Sequence, residues 1–371
     1  MNTRSISHSS RTWLRGALAL ATALSAAASL SLPASAAELP EPDPQEDGWA
    51  ETDSPETLPL ESFNAPRSFT GSIQRISGSN RYKTAEKLFY KGDWFNTFVV
   101  VNGDNYADAL AATPFAAAVH GPLVLVNSKG IPPESREIML HVKDQAKFDV
   151  YVVGGDNSVP PHIIREMKAM GFTVTQRFQG PDRYETARQL ARATVRALQV
   201  WHQDVPYAIA VDGENFADAL AAGPAAAAQN AVILLTQGTK VPRATRDALL
   251  ELNLQVTTIG GKATTAFGSE ALWSTVGPDR YETSVKAAAR YIPNAKRVVV
   301  AGGESFADAL AGGVLAASHG GSLVLSPKKD ASAAVIAYLR SAPFSHIYVV
   351  GGEGSISKNA YWMMYDMVIQ P

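Results

Sequence analysis

Cysteine is absent from all 371 residues, which excludes disulfides, a lipid-modified cysteine, a thiolate metal site and thiol catalysis. Histidine is scarce as well: seven are scattered along the chain, with no HExxH and no zinc-like spacing. No serine stands in a GxSxG elbow. The glycine turns described below lack GxGxxG and Walker patterns, so they carry no nucleotide fingerprint. Together these absences leave no catalytic constellation, no metal site and no required cofactor. Charge is modest at 18%, while 46% of residues are hydrophobic, a balance that suits globular domains with real cores rather than disorder. The length fits two or three such domains.

The first 37 residues stand apart. Arg4, Arg11 and Arg15 precede an apolar run over 16–32, and Ala34-Ser35-Ala36 offers a small-x-small cleavage site, the pattern of a secretory signal peptide. With the leader removed, no integral membrane segment is expected. Residues 38–68 are acidic and rich in proline, with nine carboxylates over 38–61 and no Lys or Arg there. Such a stretch has no apolar face to bury and is expected to be a solvated linker. Leader and linker aside, residues 62–371 hold 30 basic and 26 acidic residues. That mild surplus permits an anionic partner without demanding one, and nothing points to nucleic acid.

The remainder is one unit of about 100 residues used three times. The heptad GPDRYET occurs over 180–186 and again over 277–283, with the looser GSNRYKT over 78–84. Some thirty residues later come NYADALAA from Asn105, NFADALAA from Asn215 and SFADALAG from Ser305. A strand-like run then closes on two glycines: YVVGG from Tyr151, TTIGG from Thr257 and YVVGG from Tyr348. The boundaries expected are repeat one over 69–170, repeat two over 171–268 and repeat three over 269–371. Within each, short β-branched runs such as 97–101 alternate with helical patterns, which predicts an α/β sandwich with a mostly parallel sheet. An Ala-rich helix interrupted by Pro114 is expected over 106–119.

Most signature residues have a local explanation. Asp182 with Glu185, and Asp279 with Glu282, have capping-box spacing, and Asn80 keeps the cap without the reciprocal acid. Asn105, Asn215 and Ser305, each three residues before Asp108, Asp218 or Asp308, are expected to cap the second helix. Ser158, Thr264 and Ser355 follow the double glycines as further caps. Tyr82, Tyr184 and Tyr281 are expected to be core residues. Arg81, Arg183 and Arg280 resist this treatment, because a cation in the first turn of a helix opposes the dipole by up to about 1 kcal/mol. Each should have an anionic partner. The nearer candidate is internal, an Asp of the set Asp108, Asp218 and Asp308 in the same or a neighbouring unit. The other is a phosphate or carboxylate of a ligand, gripped by the planar fork.

In this order the motifs resemble the cell wall-binding repeat 2 family, and the three copies span residues 69–371. The resemblance implies three Toprim-like α/β modules packed with pseudo-threefold symmetry. It also implies a secreted, non-enzymatic protein held at the cell wall or cell surface of a Gram-positive envelope by an anionic polymer of secondary-polymer or teichoic-acid type. Candidate ligand-binding residues are then Arg81, Arg183, Arg280, Asp108, Asp218 and Asp308. To these are added Arg75 and Arg177, three residues before the first glycine of their heptads, where the third copy has Ser274. The second copy also departs at Thr258-Ile259, before its two glycines. Related chains often carry an amidase, so a wall hydrolase or its modifier is the alternative function. A nucleotide- or sugar-phosphate-binding protein is a third possibility, by fold analogy alone.

Overall fold

The computed structural model describes residues 71–143 and 148–369. The expected leader and linker, together with Phe69, lie outside the described residues. Twelve strands are present among the described residues: β1 (Ser72–Ile76), β2 (Thr97–Asn102), β3 (Leu123–Val126), β4 (Asp149–Val153), β5 (Thr173–Phe178), β6 (Tyr207–Asp212), β7 (Val232–Thr236), β8 (Gln255–Ile259), β9 (Ala271–Thr275), β10 (Arg297–Gly302), β11 (Ser322–Ser326) and β12 (His346–Val350). The helices are α1 (Arg81–Phe89), α2 (Ala112–Ala118), α3 (Pro133–Val142), α4 (Pro161–Ala169), α5 (Arg183–Val200), α6 (Phe216–Ala228), α7 (Arg243–Leu252), α8 (Gly261–Phe267), α9 (Arg280–Tyr291), α10 (Ala307–Ser318), α11 (Ala333–Ser341) and α12 (Lys358–Ile369).

The strands form three four-stranded sheets, ordered β3-β2-β4-β5, β7-β6-β8-β9 and β1-β12-β10-β11. Every pairing is parallel. The central strands β2 and β6 are buried along their whole length, as continuous β-branched and apolar runs require when both faces are covered by helices. The three tandem α/β repeats expected from the sequence are therefore the architecture.

Sequence period and sheet are offset by one strand. The strand just ahead of each heptad pairs in the sheet of the preceding unit: β5 beside β4, and β9 beside β8. By the same rule β1 belongs to the last sheet, and it pairs with β12 in register from Ser72↔His346 to Ile76↔Val350. The first described strand thus closes the final sheet, and the three units form a ring.

At the centre of the ring α2, α6 and α10 pack on one another, and each also packs on the first helix of the following unit: α2 on α5, α6 on α9, α10 on α1. Their Ala-rich sequences allow the close approach. At Gly223 an added Cβ would stand 2.9 Å from the Thr113 Cβ, so any side chain there would push α6 away from α2. One hydrophobic cluster runs through all three units. It includes Phe115, fully buried against Tyr151 and Phe178 with ring centroids 5.1 and 4.9 Å away. Truncating such a ring costs about 3–5 kcal/mol.

The helix expected over 106–119 starts later than the sequence suggested. A short 3-10 turn covers Ala109–Ala111 and the α-helix runs only from Ala112. Pro114 then falls in the first turn, where its missing N–H leaves nothing unsatisfied, but the equivalent Pro224 lies inside the continuous α6, so the proline alone does not account for the later start.

Candidate functional site

The heptads behave locally as their composition predicts. Asn80 Oδ1 accepts from the Lys83 N–H at 2.8 Å, Asp182 Oδ1 from Glu185 at 2.9 Å, and Asp279 Oδ1 from both Tyr281 and Glu282 at 2.8 Å. The reciprocal half of the capping box does not form. Glu185 turns instead to Arg188, 3.4 Å away on the same helix. In the second signature Asn105 and Asn215 accept from the N–H two residues on, at 3.0 and 3.2 Å. Ser305 does not cap, since α10 begins after Phe306 with no side-chain cap. The caps expected of Ser158, Thr264 and Ser355 are likewise not made. Ser158 and Ser355 donate to Asp108 and Asp308, while Thr264 donates back to the Gly260 carbonyl.

Each of the three unexplained arginines has the same pair of partners. Arg81 Nη1 donates to the Gly103 carbonyl at 2.6 Å, Arg183 Nη1 to Gly213, and Arg280 Nη1 to Gly303 at 2.7 Å. These carbonyls stand just past the carboxyl ends of β2, β6 and β10, and the partial negative charge of each oxygen offsets the cation that the helix start disfavours. The same guanidinium lies over an aromatic ring of the neighbouring unit: Arg81 over Phe306 at 5.7 Å, Arg183 over Tyr106 and Arg280 over Phe216, both at 5.8 Å. The three rings pack together at the ring axis, with centroids 5.4, 5.5 and 6.2 Å apart. The arginines therefore surround one aromatic hub, each reaching from one unit to the unit before it. The second residue of the Asn/Ser-aromatic-Ala-Asp signature makes that hub. It recurs as Tyr or Phe in every copy, a signal to which the sequence reading gave no role.

The expected ion pair with an Asp of the second signature is not formed. No carboxylate of Asp108, Asp218 or Asp308 lies within 4 Å of these guanidiniums among the described residues, and the nearest acid to Arg81 is Asp104 at 3.5 Å. The three Asp side chains occupy the same joints for another purpose. Asp108 accepts from Ser158 of its own unit at 2.6 Å and from Thr186 of the next at 3.1 Å. Asp308 accepts from Ser355 at 2.9 Å. Its Oδ1 has no well-formed hydrogen bond, although the Thr84 hydroxyl of the first unit and Arg81 still favour its charged form. Burial outweighs them and raises the Asp308 pKa.

The middle joint differs. Burial and the neighbouring Asp212 push Asp218 up to about 6, against the opposing influence of Arg280 and Lys262. Asp212 is itself buried. Its Oδ1 accepts from the Glu214 and Gly238 N–H groups at 3.0 and 3.2 Å. Its Oδ2 has no hydrogen bond of good geometry, but Lys262 Nζ is 3.0 Å away and we regard the ion pair as its partner. The equivalent position is Asn102 in the first unit and Gly302 in the third. The first glycine of each pair touches these acids. Gly154, Gly260 and Gly351 have φ of 112, 95 and 106°, and a Cβ added there would meet the Oδ2 of Asp108, Asp218 or Asp308 at 2.9, 2.0 or 2.6 Å. Conformation and space both demand glycine.

Arg75 and Arg177 fasten closing strands. Arg177 donates to the Gly154 and Val159 carbonyls at 2.8 and 2.5 Å and pairs with Asp156 at 2.7 Å. Arg75 donates to the carbonyls of Gly351, Ile356 and Ser357 at 2.9, 2.8 and 3.1 Å, and lies 4.9 Å over the Tyr361 ring. Their donors thus serve the double-glycine turns. Where Ser274 replaces this arginine, its Oγ accepts from Thr258 at 2.8 Å, and the Thr258 and Thr264 hydroxyls lie 2.9 Å apart. The two departures of the middle sheet are one compensated exchange. Thr258 pairs in register with Ser274, where the other sheets pair Val152 with Arg177 and Val349 with Arg75.

His120 takes a left-handed conformation after its helix, as do Asn230 and Gly320 in the other units, and its ring lies tilted against Phe95 with centroids 4.5 Å apart. No metal-binding group of acids and histidines occurs among the described residues, and no described helix is long and apolar enough to cross a membrane.

The family of Cell wall binding domain 2 (CWB2) matches residues 75–164, 177–267 and 275–361. Among curated proteins the chain is similar to N-acetylmuramoyl-L-alanine amidase LytC of Bacillus subtilis, 29% identical over 300 residues that cover 77% of this chain and 56% of LytC. It is also similar to the Amidase enhancer of the same organism, 29% identical over 296 residues, 76% of this chain and 39% of that protein. The chain therefore spans about half the length of these relatives, or less. Among solved structures, Cwp6 from Clostridium difficile superposes with a TM-score of 0.70 at 23% identity, covering 80% of this chain and 48% of Cwp6. Cwp8 from the same organism gives 0.68 at 21%, covering 80% and 51%. Those two likenesses concern the fold. With all three copies matched in order, the chain belongs to the Cell wall binding domain 2 family.

Proposed function

We propose that this is an exported, non-enzymatic protein that attaches non-covalently to an anionic polymer of a Gram-positive cell wall, of secondary-polymer or teichoic-acid type. The carrying observation is the set of three guanidiniums at the carboxyl ends of the parallel strands. Each is positioned by one bond to a glycine carbonyl and by a neighbour's ring, and its Nε and Nη2 have no protein acceptor among the described residues. Ligands of open α/β sheets bind at that end, and a preset planar fork suits phosphate or carboxylate. The side chain of Arg81 is 38% exposed, so its uncommitted edge is within reach of a large ligand. Asp108 and Asp308 support the site from behind through their serine hydroxyls, and Asp108 also through Thr186 of the next unit.

The test incubates the protein with isolated walls before and after extraction of their anionic polymers. Pelleting with intact walls, lost on extraction and weakened by salt, is the expected result. Equal pelleting with both preparations would defeat the polymer assignment. The likeness to LytC and to the Amidase enhancer favours a second reading, a wall hydrolase or its modifier. Dye release from purified walls by this chain alone would establish it.

A further inference from the structure

The arginines alone give the strand-end face no net positive charge. Beside them, at the residue after each positioning glycine, stand the exposed carboxylates Asp104, Glu214 and Glu304. With the exposed cap carboxylates Asp182 and Asp279 immediately before Arg183 and Arg280, three cations face five carboxylates, an arrangement that does not attract a polyanion at distances near or beyond the Debye length. Lys262 does not tip the balance, being held by Asp212 at 3.0 Å and lying 3.9 Å from Glu214. Further positive charge must come from elsewhere on this face.

The same glycines show where it lies. Gly103, Gly213 and Gly303 accept the arginine through their carbonyls. Their N–H groups donate to the carbonyls of Val126, Thr236 and Ser326, at 2.7, 2.8 and 3.0 Å. Those are the last residues of β3, β7 and β11, and the loop that follows each carries lysine: Lys129, Lys240, and Lys328 with Lys329. One glycine thus couples an arginine to a lysine loop in every unit. The first two loops are locked, by the antiparallel bridges Asn127↔Gly130 and Gln237↔Lys240, and in the first unit Asn127 also donates to the Tyr82 hydroxyl at 3.3 Å. In the third, the carbonyls of Lys328 and Lys329 accept from Ser357 at 2.8 and 2.7 Å. Lys129, Lys240 and Lys329 are exposed, and none has a carboxylate within 4 Å among the described residues. Fixed backbone and free ammonium groups are what an external anion requires.

We propose that Lys129, Lys240 and Lys329 form the second cation of three ligand stations, each completed by Arg81, Arg183 or Arg280. The ligand is then a polymer whose anionic groups recur along its length, laid across several stations of the ring at once. This rests on the wall-binding reading above. Arginine supplies directional bonds at each station. Lysine supplies the net field that draws the polymer in and makes the attachment salt-sensitive, and repeated stations convert weak contacts into avidity.

The experiment compares pelleting with intact, polymer-bearing walls over a salt series for three proteins. They are the wild type, K129Q/K240Q/K329Q, and the control K91Q/K168Q/K296Q, whose exposed lysines lie at the opposite, amino-terminal ends of the strands. The station variant is expected to bind about tenfold more weakly with a flatter salt dependence, and the control to stay within about twofold of wild type. K129R/K240R/K329R should restore binding. A station variant that binds like wild type, or a control that loses as much, overturns the proposal while leaving wall binding intact. A wild type that fails to pellet at all overturns the wall-binding reading, and the stations with it.

Discussion

Asp218 is the residue at which a small chemical difference between repeats has the largest electrostatic consequence. Asp108 and Asp308 each accept a serine hydroxyl, whereas the equivalent Thr264 is turned toward Thr258 and Gly260, and Asp218 faces the buried Asp212 instead. Its pKa, pushed up to about 6, exceeds the ordinary carboxylate value, so the folded state binds this proton more tightly than the unfolded chain. The resulting stabilisation is complete below the unfolded pKa and is lost as pH rises through about 6. The groups that set this balance are Asp212 on β6, Lys262 on α8 and Arg280 on α9. Asp218→Asn should remove the Asp218 share of the pH dependence between about pH 5 and about pH 7.5, a difference of about 1.4 kcal/mol in the wild type, while His120 and His319, both lowered mainly by burial, titrate in both proteins. Denaturant midpoints of both proteins at the two pH values measure it, and an equally steep dependence in the variant would assign the effect elsewhere.

At the scale of elements, the middle sheet shows how one structural task is met by two sets of residues. A strand-closing arginine beside a valine serves two sheets, and a Thr258–Ser274–Thr264 hydroxyl network serves the third. Ser274→Arg alone should destabilise, because it strands two threonine hydroxyls against a charged side chain. Combining it with Thr258→Val should recover at least half of that loss, a favourable coupling of about 1 kcal/mol or more in a double-mutant cycle. Strict additivity of the two changes would mean that the exchange is coincidental. The helix starts illustrate what local sequence reveals at this scale. The caps at Asn80, Asp182 and Asp279 were legible because a cap is satisfied by its own first turn. The Glu185 half of the box was not, because Arg188 competes for it, within a larger network with Asp247 and Glu251 on α7.

For the whole molecule, the last sheet is completed by one short strand from the amino-terminal end of the described residues, which joins the packing of α10 on α1 in closing the ring. Deleting residues through Ser77 removes β1 and the three carbonyl bonds of Arg75, each a charged hydrogen bond of the kind worth about 1.5–3 kcal/mol. The shortened chain should melt well below the full chain, with the third unit unfolding first, as thermal unfolding followed by hydrogen exchange would report. An unchanged melting profile would show that β1 adds little to the closure made by the central helices. By itself the sequence determined the threefold repeat, the alternation of buried strands and helices, and the caps at Asn80, Asp182 and Asp279. All of these follow from residues close together in the chain. Only the tertiary structure decided that β1 closes the last sheet, that Arg75 and Arg177 bond to the double-glycine turns, and that Arg81, Arg183 and Arg280 meet glycine carbonyls and a shared aromatic hub instead of Asp108, Asp218 and Asp308. Those choices are made between groups far apart in sequence, where several acceptors of similar chemistry compete. Which of them a guanidinium reaches is set by how the three units pack around their axis.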